Sequence, residues 1–592
     1  MMVPMLASLA PDRAGRVLTG TFGASAAVPG LHASGLYRLL AAAVVIAVAA
    51  MVVRGRWLRL RYGPGRPWLP LHARARLRLR PGPGWAGRWS CWRDHGLPAA
   101  RAVARHARPS LPRSALLPGR RGTWREYATF LGWAHGWVVR PRVFAHLESL
   151  IVMFAAPQDG KTQAAAGQVI DAPGPVVATS VRADLVAATA GLRALRGRVD
   201  LWDPEGVSGL ASTFCWNITA GCQDVATAVR RAGVMVEAVA GKGLDGEAFW
   251  DDQASMVLAG LLHAAALTSG DIRHVHAWAG GDDATPARIL QLHPGASATA
   301  RDHLDRYLAM PDRTRQSVAA TLARVLKFMQ LPACEQAVTT PDGSEGFDFA
   351  SFINSTGTLY LVAADSAVSP VPPLFAALVA ELAHAARHAG QRRLDPPLTV
   401  ILDEAGNIAP VPVAAWSSWA AGSGIRLHVI AQAWAQLADR WGEHGAALIW
   451  QCCKTKVIFG GTSEDELAAM AERACGTVRV RAGRDAGGRH RHEEMPLLPA
   501  AALRMLPAAR AVVIQARAAP VIVRVEQVRR RADYKRQRSR PVPGLIPAVR
   551  YLVPAPLPQL LHVPQPELPS AADELAARRD RTTGAWPDEG HR

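Results

Sequence analysis

Cysteine is scarce in this sequence, and its spacing excludes two classes of protein. Seven cysteines occur in 592 residues, and none forms the Cys-x-x-Cys spacing, or has the histidine partners, of a zinc site. An odd count with no secretory pattern also argues against a disulfide framework. The thiols are therefore predicted to be reduced and buried, in a protein whose body lies in the cytoplasm.

Long hydrophobic runs are also missing. The apolar run Leu39–Val53 is uncharged but shorter than the ~20 residues of a spanning helix. Extending it back to residue 33 adds only Arg38, whose side chain can snorkel to the interface. A signal peptide carries its positive charge before the apolar core, whereas here the charge follows it. We predict a membrane span at about 33–53 within an N-terminal anchor region, residues 1–61.

Acidic residues are too few to balance the basic ones. The chain has 68 Lys and Arg against 48 Asp and Glu, a formal net charge of +20. Such a charge favours approach to a polyphosphate without giving sequence specificity. Much of the excess follows the apolar run, where it forms either a solvated linker or a cytoplasmic flank facing anionic lipid: Arg54, Arg56, Arg59, Arg61, Arg74, Arg76, Arg78 and Arg80. Residues 62–123, rich in Pro, Gly and Arg, are predicted to be a linker.

Two segments carry the chemistry of a nucleotide site. The first, Pro157-Gln158-Asp159-Gly160-Lys161-Thr162, follows a predicted strand and opens a predicted helix. In a P-loop the backbone amides cradle phosphates, the lysine neutralises their charge and the Ser/Thr hydroxyl holds Mg²⁺. The second, Asp403-Glu404, ends an apolar strand; Asp403 would join the metal shell and Glu404 would activate water. Together they predict a P-loop NTPase that binds ATP and Mg²⁺.

The first segment departs from the usual phosphate loop at two positions. Ala155 stands where a glycine is usual, and Asp159 places a carboxylate beside the phosphates, which leaves turnover open. Two further candidates have plain alternatives. Gln432, after a predicted strand, is either a γ-phosphate sensor or a solvent-facing amide, and Arg315 is either an arginine finger acting on a neighbouring subunit or a surface residue.

The order of predicted elements gives an α/β fold with a mainly parallel sheet. Strands are predicted at 149–155, 175–180 and 199–202, then at 358–363, 399–402, 426–431, 456–459, 511–515 and 521–525. A helix at 374–388 supports a right-handed crossover. We predict a nucleotide-binding domain over 124–203 and 346–531, an inserted all-α domain over 204–345, and a disordered Pro-rich tail over 532–592.

The ordered motifs resemble the type IV secretion coupling proteins, the TraG/TraD-like family of conjugative DNA transfer in its actinobacterial form. The resemblance runs from about Trp124 to Arg531 and is carried by these segments: 156–162, 172–180 with Arg182 and Asp184, 202–206, Phe249-Trp250, 312–315, 357–361, 402–410 and 431–437.

The resemblance implies a RecA-like motor with an inserted all-α domain, a TraM recognition domain and an anchor in the inner membrane, assembled as a homo-hexamer. Its partners would be DNA bound without sequence specificity, expected to be a relaxase-bound single strand, and components of a secretion channel. Lys161 and Thr162 would contact phosphate and Mg²⁺, Asp403 the metal, and Glu404 the attacking water, with Gln432 as sensor. Family members commonly have two membrane helices, whereas this sequence shows one short span.

Two other functions fit part of the pattern. One is a double-stranded DNA pump of the FtsK type, which a C-terminal winged-helix module would favour; the Pro-rich tail offers none. The other is a degenerate P-loop protein that docks relaxase or channel components without hydrolysing nucleotide.

Overall fold

The computed structural model describes residues 47–51, 83–117, 122–135, 140–240, 247–281, 284–340, 343–364, 369–389, 393–484, 490–537 and 540–548. The strands are β1 Ala128–Ala134, β2 Arg142–His146, β3 Ile151–Phe154, β4 Val176–Ser180, β5 Val199–Trp202, β6 Thr358–Val362, β7 Leu398–Asp403, β8 Ile425–Ala431, β9 Thr455–Phe459, β10 Thr477–Arg484, β11 His490–Pro496, β12 Arg510–Gln515 and β13 Val521–Arg524.

The α-helices are α1 Arg88–Arg93, α2 Leu97–Ala107, α3 Lys161–Asp171, α4 Asp184–Arg193, α5 Val225–Glu237, α6 Glu247–Leu267, α7 Ile272–Ala279, α8 Ala284–Leu292, α9 Ala298–Leu308, α10 Asp312–Val325, α11 Pro332–Ala337, α12 Phe349–Ile353, α13 Pro372–His388, α14 Ala405–Ile408, α15 Val413–Trp416, α16 Trp434–Cys452, α17 Asp465–Cys475, α18 Ala500–Arg504 and α19 Ala532–Gln537. Short 3₁₀ turns lie at Arg113–Leu116, Thr123–Glu126, Lys327–Gln330 and Val528–Arg530.

One sheet of 11 strands organises the fold, in the order β2-β1-β13-β12-β9-β3-β8-β7-β4-β6-β5. From β9 to β5 every neighbouring pair is parallel, whereas β12, β13, β1 and β2 add antiparallel strands at one side. The central strands β7 and β8 are buried along their whole length, as continuous apolar runs of a parallel sheet require. The predicted α/β class and mainly parallel sheet are confirmed.

The predicted strands all occur, with ends shifted by at most two residues, and four further strands were missed. In the sequence, the missed strands β1 and β2 lie between the basic N-terminal region and the P-loop strand β3; in the sheet, β2 is an edge strand and β1 is its neighbour. Gly132 in β1 sits at a register shift with φ near +148°, which interrupts the alternation that predicts a strand. Strands β10 and β11 form a separate hairpin, whose many charged residues hide its alternation.

Helices α5 to α11 follow β5 and lie within the segment 204–345, and α12 comes after that segment, just before β6. Helices α5 and α6 share a core with the sheet, since Met235 and Leu258 belong to the same buried cluster as Trp202 of β5. Arg230 of α5 also pairs with Glu381 of α13 at 2.7 Å. The helices belong to the same compact unit as the sheet, and the predicted domain boundaries stay a prediction.

The predicted linker, 62–123, is wrong for residues 83–117. This stretch contains α1 and α2 and joins the core, because His95 is fully buried. Its Nδ1 lies 2.5 Å from Gln515 Oε1, and its Nε2 lies 2.8 Å from the carbonyl oxygen of Ala519. A count of Pro, Gly and Arg cannot reveal such long-range contacts.

The predicted disordered tail, 532–592, is wrong for its first part. Residues 532–537 form α19, and Tyr534 and Leu545 pack against a buried cluster. Residues 549–592 lie outside the described part. The same holds for most of the predicted span at about 33–53, of which only the helical residues 47–51 are described. Within the described ranges, no helix has both the length and the hydropathy of a membrane span.

Arg193 holds the amino-terminal edge of strands β4 and β6 together. This fully buried guanidinium donates to Thr358 Oγ1 at 2.6 Å and to the carbonyl oxygens of Ala172, Gly174 and Thr356 at 2.9, 3.0 and 2.9 Å. Burial lowers the pKa of Arg193 to about 10, so the side chain stays charged at neutral pH.

We expect Arg193→Met to lower the free energy of unfolding by about 3 kcal/mol, because several buried carbonyl oxygens lose their donor. Urea unfolding followed by tryptophan fluorescence measures this. Arg479→Met is the matched control, since Arg479 pairs with Glu494 at the surface, where both side chains are exposed, and its loss should cost about 1 kcal/mol or less. Equal effects of the two substitutions would contradict the role of Arg193.

Candidate nucleotide site

The turn between β3 and α3 has the backbone of a phosphate loop. Gln158 and Gly160 have φ of +68° and +100°, so consecutive amides turn toward the opening of α3. Lys161 is the first helical residue, and Thr162 lies half-buried in the first turn. The amino terminus of a helix of this length offers free N–H groups to an anion. The predicted loop therefore has the local geometry that its chemistry needs.

Ala155, the first departure from the usual loop, lies outside the strained part of the turn. Its side chain is buried, and its N–H donates to the carbonyl oxygen of Ala431 at 3.1 Å. The residue thus continues β3 alongside β8. Its φ is negative, so a Cβ causes no backbone strain here.

Asp159, the second departure, lies against the glycine pair that follows β9. A Cβ on Gly461, where φ is +85°, would come 2.8 Å from Asp159 Oδ2. Partial burial raises the pKa of Asp159, which lowers the cost of neutralising this carboxylate near phosphate. A side chain at position 461 would displace this carboxylate, and the positive φ there favours glycine.

The acid pair lies at the carboxyl end of β7, next to the end of β8. Asp403 pairs in register with Ile430, and Phe154 of β3 pairs with Ala431, so the three strands end together. Both acids are 2% exposed. Glu404 has φ of +52°, a left-handed conformation that a non-glycine residue adopts at a cost of about 1–3 kcal/mol, typically at a functional site.

Lys161 meets both acids. Its Nζ contacts Glu404 Oε1 and lies 3.8 Å from Asp403 Oδ1. Gln432 completes the cluster, because its Nε2 donates to Glu404 Oε1 at 2.7 Å. The structure therefore brings together four of the predicted site residues from three adjacent strand ends.

The cluster fits a divalent cation supplied together with phosphate oxygens. One lysine faces two buried carboxylates, and Glu404 Oε2 is buried with no hydrogen-bond partner among the described residues. No group of three or more His, Cys, Asp or Glu in the described ranges could hold a metal alone. Mg²⁺ does not need one, since it binds through one or two protein oxygens, waters and substrate phosphates. Thr162 and Asp403 are the residues that would hold it.

Glu464 is a further residue of the site that sequence reasoning missed. Its two carboxylate oxygens accept from the N–H groups of Trp434 and Ala435 at 2.6 and 2.9 Å, at the start of α16. The Gln432 N–H donates to Gln436 Oε1 at 2.7 Å. Glu464 thereby fixes the segment that carries Gln432. Its signal in the sequence is an acid shortly after the predicted strand 456–459.

Arg315 stands apart from this cluster in the described contacts. It lies in the first turn of α10 and its Nη2 donates to Asp312 Oδ1 at 2.8 Å. The side chain is about one-third exposed. No described contact joins it to Lys161 or Glu404, so the finger role depends on a neighbouring subunit and stays a prediction.

His428 connects β8 to the P-loop helix. The residue is buried, and its Nδ1 lies 2.8 Å from Gln168 Oε1 of α3. Burial lowers the pKa of His428 well below 6.5, and the nearby Arg426 adds to the shift. The imidazole is therefore neutral in the folded protein at neutral pH.

Because the unfolded chain takes up this proton below pH 6.5 and the folded chain does not, the stability from His428 is present above pH 6.5 and is lost as pH falls toward the folded pKa. We expect unfolding free energies from pH 7.5 to 5 to fall more steeply for the wild type than for His428→Gln, by up to about 1.4 kcal/mol per pH unit. Other histidines are common to both proteins and cancel. Parallel pH profiles would contradict a buried neutral imidazole.

Residues 397–508 match a family model described as the TraM recognition site of TraD and TraG. This stretch contains Asp403, Glu404, Gln432 and Glu464. No curated protein matches the sequence significantly. Over this segment the family match agrees with the resemblance found in the sequence.

About two thirds of the chain is similar in fold to a solved structure titled bacterial conjugative coupling protein TrwBdeltaN70, unbound form. The TM-score is 0.50 at 16% identity, over 67% of this chain and 89% of that chain. Two structures of plasmid coupling protein TrwB also match, one with the ATP analogue ADPNP (TM-score 0.49, 16% identity, 64% and 86% covered) and one with ADP and Mg²⁺ (TM-score 0.47, 15% identity, 64% and 85% covered). At this identity the likeness establishes the fold.

Proposed function

We propose that this TraG/TraD-like chain is a membrane-anchored, ATP-driven DNA translocase that brings relaxase-bound DNA to a conjugative type IV secretion channel. The observation that carries the proposal is the convergence of Lys161, Asp403, Glu404 and Gln432 at one edge of a parallel sheet. These residues lie at the carboxyl ends of three adjacent strands, β3, β7 and β8, which are far apart in the sequence. The family match over 397–508 supports the coupling role.

The residues have distinct tasks in hydrolysis. Lys161 exchanges its contact with Glu404 for the β- and γ-phosphates, while the amides of the turn after β3 bind phosphate oxygens. Glu404, released from the lysine, accepts a proton from the water whose oxygen bonds to the γ-phosphorus as the bond to the β-phosphate oxygen breaks. Gln432 orients Glu404 through its Nε2. Mg²⁺, held by Thr162 and Asp403, would neutralise charge on the phosphates.

Partners and location follow from the same proposal. The net charge of +20 favours DNA bound through its backbone. The span at about 33–53 anchors the chain in the inner membrane with its catalytic body in the cytoplasm. Homo-hexamers of nucleotide-binding domains, 124–203 and 346–531, each with an all-α insertion at 204–345, would let Arg315 act on a neighbour's phosphates.

We expect Lys161→Ala to abolish nucleotide binding, because the phosphates lose their compensating charge. Glu404→Gln should keep binding and stop hydrolysis, since an amide cannot take the proton from water. Binding of a fluorescent ATP analogue and DNA-stimulated release of phosphate by the full-length protein measure the two effects.

The same assay separates the alternatives. If the wild type and both variants release phosphate at one residual rate, the chain binds its partners without turnover, as the degenerate loop at Asp159 allows. Tight ATP binding by Lys161→Ala would contradict the site itself. Glu404→Asp is the matched control, because it keeps the charge but retracts the carboxylate.

Glu464 should act as a positioning residue for Gln432. We expect Glu464→Ala to lower the maximal rate of hydrolysis about tenfold or more by misplacing the sensor, with little change in ATP affinity. Steady-state kinetics separates the two quantities. Glu466→Ala, at an exposed position of α17, is the control, and an affinity loss without a rate loss in Glu464→Ala would contradict this role.

A further inference from the structure

Helix α1 presents two tryptophan side chains to solvent. Trp89 is 66% exposed and Trp92 is 53% exposed, and their ring centroids lie 4.9 Å apart. Exposed tryptophans are costly in water because each ring carries a large apolar area. Two in contact on one six-residue helix form a small apolar surface, which we name the tryptophan platform.

The platform is attached to the body through Cys91, the one buried residue of α1. Cys91, between the two tryptophans, is fully buried and its Sγ donates to the carbonyl oxygen of Ala86 at 3.7 Å. The N–H of Ala86 in turn donates to the carbonyl oxygen of Pro520, in the turn between β12 and β13. Burial raises the pKa of Cys91 to about 11, so this anchor point is neutral. The exposure of the two rings is therefore built into the fold.

The platform lies at the edge of the sheet opposite the nucleotide site. The turn that holds α1 follows Gln515, which pairs in register with Thr455, the first residue of β9. Strand β9 runs parallel to β3, so its start marks the edge where the parallel strands begin. Lys161, Asp403 and Glu404 lie where β3 and β7 end. The platform thus faces away from the phosphates and toward the side where the N-terminal region joins the body.

The charge around the platform fits an anionic lipid surface. Arg88 and Arg93 flank the rings and are exposed, although Arg93 also pairs with Asp94 at 2.7 Å. In the sequence, the segment 54–82 leads from the apolar run Leu39–Val53 to α1 and carries a run of arginines and few acids. Tryptophan beside arginine is the composition that membrane interfaces favour.

We propose that the tryptophan platform inserts into the headgroup region of an anionic phospholipid bilayer. It forms a second membrane contact that fixes the orientation of the body below its anchor. This inference rests on the proposed membrane anchor, but it does not depend on ATP hydrolysis. In the sequence, 29 residues at 54–82 separate the predicted span from the platform. A second contact at α1 would hold the nucleotide edge away from the lipid.

The test uses the full-length chain in vesicles of phosphatidylcholine and phosphatidylglycerol. The double variant Trp89→Phe/Trp92→Phe keeps both positions apolar and removes their tryptophan fluorescence. The difference in fluorescence between the wild type and this variant is therefore the signal of the platform. We expect a nitroxide on the lipid headgroups to quench that fluorescence. Iodide in the aqueous phase should quench it less when vesicles are present than when they are absent. Trp250→Phe, in the helical segment after β5, is the matched control and should show no headgroup quenching.

The possible outcomes test the membrane anchor and the tryptophan platform separately. Failure of the protein to float with the vesicles overturns both the anchor and the platform. Flotation with a platform signal that iodide still quenches leaves the anchor intact and overturns the platform. Quenching by an added single-stranded oligonucleotide, without headgroup quenching, assigns the rings to nucleic acid and also overturns the proposal. Vesicles of phosphatidylcholine alone should weaken headgroup quenching, as expected for a contact with anionic lipid.

Discussion

The contact of Lys161 with the acid pair Asp403 and Glu404 is the constraint on which the rest of the structure depends. Two carboxylates almost fully removed from water carry a desolvation cost of several kcal/mol each unless a cation or donor faces them. One lysine and the amide of Gln432 offset part of that cost. The metal ion of a bound nucleotide would compensate the remaining negative charge. In the proposed function, ligand binding would therefore lower the electrostatic cost of burying the two carboxylates.

Positioning that lysine requires control of both ends of α3. At its amino end the turn fixes Lys161. At its carboxyl end Asp171 accepts two hydrogen bonds from Arg531, at 2.8 and 2.9 Å, with both side chains less than 10% exposed. The resulting pairs raise the pKa of Arg531. A second tie joins Gln163 Oε1 to the N–H of Arg529 at 3.2 Å. The chain just beyond the last strand therefore braces the P-loop helix.

The sequence was sufficient wherever local chemistry decides structure. Apolar runs predicted the parallel strands, and a glycine-lysine-threonine turn and an acid pair predicted the site, because these patterns act within a few residues. It failed where distant residues decide. His95 is buried only because Gln515 and the turn after it lie beside it, and Glu464 orders α16 across a gap of 30 positions. No local period signals either contact.

The carboxyl ends and the amino ends of the parallel strands lie at opposite edges of the sheet, and the two edges differ in what they can bind. Parallel strands place all their carboxyl ends on one edge, where helix amino termini and strand-end acids create a site for phosphates. The amino ends then lie on the other edge, which is where α1 and α2 pack. A protein that binds nucleotide at one edge and attaches to a membrane through the other keeps the two surfaces apart without an added domain. In the proposed membrane contact, α1 and α2, at 83–117, are the part of the fold that would face the lipid.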